Sequence, residues 1–144
     1  MSASGMGLGR LFNVLTAASG VSIPLTRASA VSFFTFEAAG AVILTVTEVD
    51  STAVNSEQAL DVDFEPHKAP AIGGTWTAMA EQDSTVDLGD DATNDSMHIT
   101  VHASQLSDGY DGVQVTADVG ILTAIIHDLT EQRSAANLPS NIVA

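Results

Sequence analysis

The chain has 144 residues, enough for one domain whose core needs no covalent staples, because about two thirds of the extended surface of such a chain is removed from water on folding. Four Lys and Arg stand against 18 Asp and Glu, a formal charge of −14, which excludes functions that rest on neutralising nucleic-acid phosphates or an anionic membrane surface. Cysteine is absent, so disulfides, thiolate metal sites and thiol nucleophiles are excluded as well.

Charged residues make up only 15% of the chain, against roughly 25% in an ordinary soluble domain. The solvent-facing surface is therefore built largely from 14 Ser and 14 Thr, and together with 14 Val and 8 Ile they form a β-prone composition. Residues 1–20 are rich in Gly, Ser and Ala and lack the basic start of a secretory signal. Their apolar residues Leu11, Phe12, Val14 and Leu15 follow neither the helical nor the strand period, so the segment reads as an N-terminal arm. The longest apolar runs, such as Ala41 to Leu44, fall far short of the ~20 residues that span a bilayer.

From residue 21 to 130, short β-type runs recur at roughly ten-residue spacing, each bounded by Gly, Asp, Asn, Ser or Pro. Val21–Arg27 is weakened by Pro24, which cannot donate to a ladder and demotes the run to an edge strand or a bend. Ala30–Phe36 and Ala41–Val49 follow. The clearest alternation is Leu60, Val62 and Phe64 against Asp61, Asp63 and Glu65, one face apolar and the other solvated. Pro66 to Gly74 reads as a loop, and Thr75–Ala80 as a strand in which Trp76, the only Trp, is a core aromatic. The acidic stretch Asp87 to Asp95 is a second loop. Met97, Ile99, Val101 and Ala103 then alternate with His98, Thr100 and His102.

Ser107 to Gly112 supplies turn residues ahead of Val113–Ala117, and Ile121–His127 closes the series. No helical period with caps is present. The expected architecture is an all-β antiparallel sandwich or jelly-roll-like barrel over 21–130, with the arm 1–20 before it and a C-terminal tail, 131–144, ending in Ile142 and Val143.

Candidate chemistry is sparse. Asp87, Asp90, Asp91, Asn94 and Asp95 offer oxygen ligands, but their spacing matches no EF-hand loop, and a solvated acidic hairpin is expected without a metal. His98 and His102, four apart on a strand, lie roughly 13 Å apart and cannot share one zinc ion. With His67 and His127 on other elements, the four are read as surface or interface histidines. There is no nucleophile elbow and no phosphate-binding Gly loop, and a Glu65 or Glu81 pair with Asp83 is weak among 18 acids. No catalytic residue and no cofactor are expected.

Two stretches, GRLFNVLTAASGVSIPLTRASAVSFFTF from Gly9 and QLSDGYDGVQVTADVGILTAIIHDLTEQRSAANLPS from Gln105, resemble small β-sandwich virion proteins of tailed phages that infect actinobacteria. In those proteins a DGY turn, here Asp108 to Tyr110, leads into a strand, and a tail of the kind at His127 to Pro139 follows the last strand. The resemblance implies a structural protein of the particle, made in the host cytoplasm and carried on the capsid exterior, where it decorates and stabilises the lattice of the major capsid protein. A homo-oligomer such as a trimer is the expected form. The charge independently disfavours the DNA side of a capsid. Leu11, Phe12, Val14, Leu15, Ile142 and Val143 are the residues expected to anchor the ends on neighbouring subunits. The alternatives are a neck or tail protein, and a carbohydrate- or receptor-binding module with Trp76 and Tyr110 as stacking platforms.

Overall fold

The computed structural model describes residues 12–16, 19–36, 42–52, 57–70, 74–87, 96–118 and 120–129. They form eleven strands: β1 (Phe12–Thr16), β2 (Val21–Pro24), β3 (Ala30–Phe36), β4 (Ile43–Val49), β5 (Glu57–Ala59), β6 (His67–Ala69), β7 (Thr77–Ala78), β8 (Thr85–Asp87), β9 (Ser96–His102), β10 (Gly112–Ala117) and β11 (Ile121–His127). All pairings are antiparallel, in two sheets ordered β1-β11-β3-β9-β6-β7 and β2-β10-β4-β5, with β8 also on β4.

The pairs nest: β1 with β11, β2 with β10, β3 with β9 and β4 with β8. Successive pairs belong to alternate sheets, and the nested hairpin is wrapped so that β11 also pairs β3 and β10 also pairs β4. This is the strand order of a jelly roll. The two sheets face each other as a sandwich and do not close into a barrel, so of the two expected forms the sandwich is the one adopted. Strands β5, β6 and β7 are an insertion between β4 and β8. It extends the free edge of β4 on one sheet and of β9 on the other.

The core lies between the sheets because each long strand alternates. Val31 and Phe33, Met97, Ile99 and Val101, and Leu122, Ala124 and Ile126 point inward from the large sheet against Ile23, Leu44, Val46, Val113 and Val115 of the small one. Each fully buried side chain contributes about 1.5–3 kcal/mol. Among the described residues, the polar Glu48 and Thr35 share this interior, both with no exposed surface.

The bounds of β3 and β11 coincide with the expected runs, and β2 is an edge strand that ends at Pro24. The turn before β10 forms as expected: Tyr110 N–H donates to Ser107 O at 3.1 Å, with Gly109 at φ 94°, where a side chain would be strained. Leu60–Glu65 departs from expectation. Its burial alternates, with Leu60 and Phe64 inside and Asp61, Asp63 and Glu65 exposed, yet it forms no ladder beyond a single bridge between Phe64 and Gln82. The segment drops its apolar side chains into the end of the sandwich while crossing from one sheet to the other. Thr75–Ala80 shortens to Thr77–Ala78.

The arm expected over 1–20 contains strand β1, whose backbone pairs along its whole length with β11, from Phe12 opposite His127 to Thr16 opposite Thr123. Residues 131–144, with Ile142 and Val143, and also Leu11 lie outside the described residues. Among the described residues, no helix is long and apolar enough to cross a membrane.

Candidate functional site on the outer face of the large sheet

Alternation that sends Phe33, Ile99 and Ala124 inward sends their neighbours outward. The outer face of the six-stranded sheet therefore carries Ser32, Phe34 and Phe36 from β3, Ser96, His98, Thr100 and His102 from β9, and Ile121, Thr123, Ile125 and His127 from β11. Register fixes who meets whom: Phe34 stands opposite His98, and His98 opposite His67 of β6. Phe34 stacks on the His98 ring with centroids 4.6 Å apart, and Trp76 meets both rings edge-on, at 6.1 Å from Phe34 and 5.9 Å from His98.

Beside this cluster lies a groove of about 420 Å³, lined mostly by Phe34, Phe36, Ala69, Pro70, Trp76 and Ile125, with Ser96 and Thr123 as its hydroxyl groups. Trp76 is 39% exposed, Phe36 46% and Ile121, opposite Phe36 in the ladder, 69%. The expectation of a core Trp76 is thus corrected. The two strand residues after it belong to the sheet edge, so nothing covers its outer side among the described residues.

On the other side of His98 is a more polar recess of about 330 Å³, lined by His67, His98, Thr100, His102, Asp63 and Glu65 among others. A chain of hydrogen bonds crosses three strands beneath it. His98 Nε2 and Thr100 Oγ1 are 3.1 Å apart, Thr100 Oγ1 and Ser32 Oγ 2.8 Å, and Ser32 Oγ and His127 Nε2 2.7 Å. Burial holds the His98 imidazole below the ordinary histidine value of 6.5, and the nearby His67 and His127 push in the same direction. His67 lies 5.8 Å from His98 between centroids, and its buried Nδ1 has no hydrogen-bond partner among the described residues.

A hydroxyl bonded to an imidazole is the first element of an activated nucleophile. Here Ser32 is 4% exposed and its oxygen is engaged from both sides, by Thr100 and His127. The arrangement orders the sheet face and does not present a nucleophile to solvent.

Comparison with known protein families, curated proteins and solved structures found no match.

The histidines lie on separate elements, as read from the sequence, and the ladders bring them together: His67, His98 and His127 share one face through three different strands, while His102 lies at the exposed end of the same row on β9. Their positions on outward phases of alternating strands were the only sequence signal for this. Tyr110 is half-buried in the turn before β10 and takes no part in the groove. Asp87 ends β8, where its N–H donates to Gln82 Oε1 at 2.7 Å, and residues 88–95 of the acidic stretch lie outside the described residues. Among the described residues, no three His, Asp or Glu are grouped as metal ligands. Glu65 lines the polar recess, whereas Asp83 is exposed and accepts the N–H of Thr85. Of the expected anchors, Phe12, Val14 and Leu15 have their backbone in β1.

Proposed function

We propose that the protein is a structural component of a phage particle, a decoration protein that seats on the head exterior and reinforces the lattice of the major capsid protein. The observation that carries this reading is the apolar outer face of the large sheet, where, among the described residues, Phe36, Trp76 and Ile121 stand exposed around an apolar groove. Exposed apolar surface of this kind marks an interaction site on a protein otherwise short of charged contacts. The resemblance of the Gly9–Phe36 and Gln105–Ser140 stretches to small virion proteins supports the same reading, as does the jelly-roll order, by fold-level analogy alone. A charge of −14 favours a position away from packaged DNA.

The test uses purified particles that lack the protein. Incubated with the intact chain, they are expected to take it up to saturation and to gain heat resistance. The double variant Phe36→Ser with Ile121→Ser, both at exposed positions, is expected to lose most of that occupancy while keeping its own melting temperature. Failure of the intact chain to bind removes the capsid reading.

A second reading is favoured by the exposure of Trp76, an aromatic platform of the kind on which a sugar ring stacks. A carbohydrate module would shift its Trp76 emission on titration with oligosaccharides of the host envelope. Its binding would be abolished by Trp76→Ala and left intact by Ile121→Ser.

A further inference from the structure

We propose that His67, His98 and His127 form an acid-operated latch that clamps Trp76 and the β7 edge onto the sheet while the imidazoles are uncharged, and releases them when the cluster gains positive charge. The inference stands apart from the virion reading.

The geometry supplies both halves of the device. The clamped half is a two-residue strand at the sheet edge: β7 pairs through His67 opposite Ala78 and Lys68 opposite Thr77, Met79 N–H donates to Pro66 O at 2.8 Å just beyond it, and both β7 residues are exposed. Trp76, immediately before β7, is tied to the sheet face through the rings of Phe34 and His98. His98 is thus the ring that holds the strap, and its charged form is disfavoured by burial and by the nearby His67 and His127.

The hydrogen-bond chain sets how many protons the cluster accepts. Three links join His98, Thr100, Ser32 and His127, and the two hydroxyl groups supply two of the three protons needed. One imidazole must donate through Nε2 and the other must accept. When both rings are imidazolium, both ends donate, and one hydroxyl proton has no acceptor left within the chain. Double protonation therefore keeps the three links but leaves one hydroxyl proton without an acceptor in the chain, in addition to placing like charges on one sheet face.

The other titratable groups facing His98 are Asp63 and Glu65, across the polar recess from the 60–66 segment, and His102 on β9 itself. The carboxylates are exposed, so solvent screens their attraction for the half-buried ring. Lys68 alternates to the opposite side of β6 from His67. The balance toward release is thus set by His98, whose charged form burial disfavours.

Trp76 is the only Trp, so its fluorescence reads the strap directly. Imidazolium itself quenches indole, so intensity alone does not report movement; accessibility to acrylamide does. On titrating the intact protein from pH 8 to 5, the acrylamide quenching constant is expected to rise about twofold, with a midpoint below 6.5. Amide exchange at Thr77 and Ala78 is expected to accelerate over the same range, while amides of β3 and β11 stay protected. His98→Gln, which keeps a hydrogen-bonding group but does not titrate, is expected to abolish the transition. His67→Gln, which removes one like charge, is expected to raise the His98 midpoint seen by NMR, a readout available even if the His98 variant fails to fold. Constant accessibility from pH 8 to 5 overturns the proposal. So does an unchanged transition in His98→Gln, an unmoved His98 midpoint in His67→Gln, or simultaneous loss of β3 and β11 protection, which would mark global unfolding.

Discussion

Glu48 Oε2 accepts the backbone N–H of Ser107 at 2.7 Å, a bond that ties the inner face of β4 to the turn leading into β10 across 59 positions of sequence. The other carboxyl oxygen accepts from the side-chain amide of Gln58, so a single buried side chain joins β4, the inserted β5 and the turn. Alternation places Glu48 on the same side as Leu44 and Val46, where an apolar residue would be the ordinary choice. The carboxyl group stands there because the end of the sandwich presents donors that the strands themselves do not satisfy.

Glu48→Ala is accordingly expected to cost about 2–4 kcal/mol, since it leaves a void and strands the Ser107 N–H. Glu48→Gln, which retains an acceptor of nearly the same shape, should lose less. Urea unfolding at constant m-value measures both, and an alanine variant within 0.5 kcal/mol of the parent, about the noise for an inert surface change, would show that the clamp is not structural.

Thr35 poses the opposite case. It is wholly buried, it faces Met97 and Leu122 across the ladders, and its Oγ1 has no hydrogen-bond partner among the described residues. Thr35→Val keeps the branched shape that suits a strand and removes the unsatisfied hydroxyl. A gain of about 1 kcal/mol is expected. Thermal unfolding with an unchanged or lower midpoint for the valine variant would contradict this.

These two residues show what the sequence conveys and what it does not. β3, β9 and β11 are legible because long strands of a sandwich repeat their inward positions often enough to impose a period, as Met97, Ile99 and Val101 do. Strands β5, β6 and β8 are three residues long and β7 two, too short for any period, and they exist because β4 and β9 leave edges to be paired. Leu60–Glu65 has the period without the ladder, since burial alternates wherever an extended chain crosses an apolar edge. The histidine cluster was illegible for a different reason. His67, His98 and His127 lie 31 and 29 positions apart along the chain, and only the antiparallel register of β6, β9, β3 and β11 brings them to one face.

Acid stability follows from the same face. Because folded His98 gives up its proton more readily than the unfolded chain, the unfolded state binds more protons from about pH 6.5 down to the lower folded value. Stability is therefore full above that window and falls as pH decreases through it. Melting temperatures between pH 7.5 and 5 should decline less steeply for His98→Gln than for the parent, and parallel profiles would remove His98 as a source of the dependence.

The edge strand β1 allows two roles of the N-terminal segment to be separated. An arm that only anchors on a neighbour could be removed without harm to the domain, but β1 supplies five residue pairs to β11, the strand that also carries Leu122, Ala124 and Ile126 into the core. Deleting residues 1–16 would bare the side of β11 that β1 covers from Thr123 to His127, creating an open edge of the kind that templates aggregation. Deleting residues 1–10 leaves every β1–β11 pair in place. The shorter deletion is thus expected to keep the parent melting temperature, while the longer one lowers it by several degrees or more and promotes concentration-dependent association, read by calorimetry and light scattering. If the longer deletion melts like the parent and remains monodisperse to the same degree, β1 is dispensable to the sheet. If the shorter deletion alone lowers occupancy on particles with its melting temperature intact, the anchoring function resides in residues 1–10 and is separable from the strand that follows them.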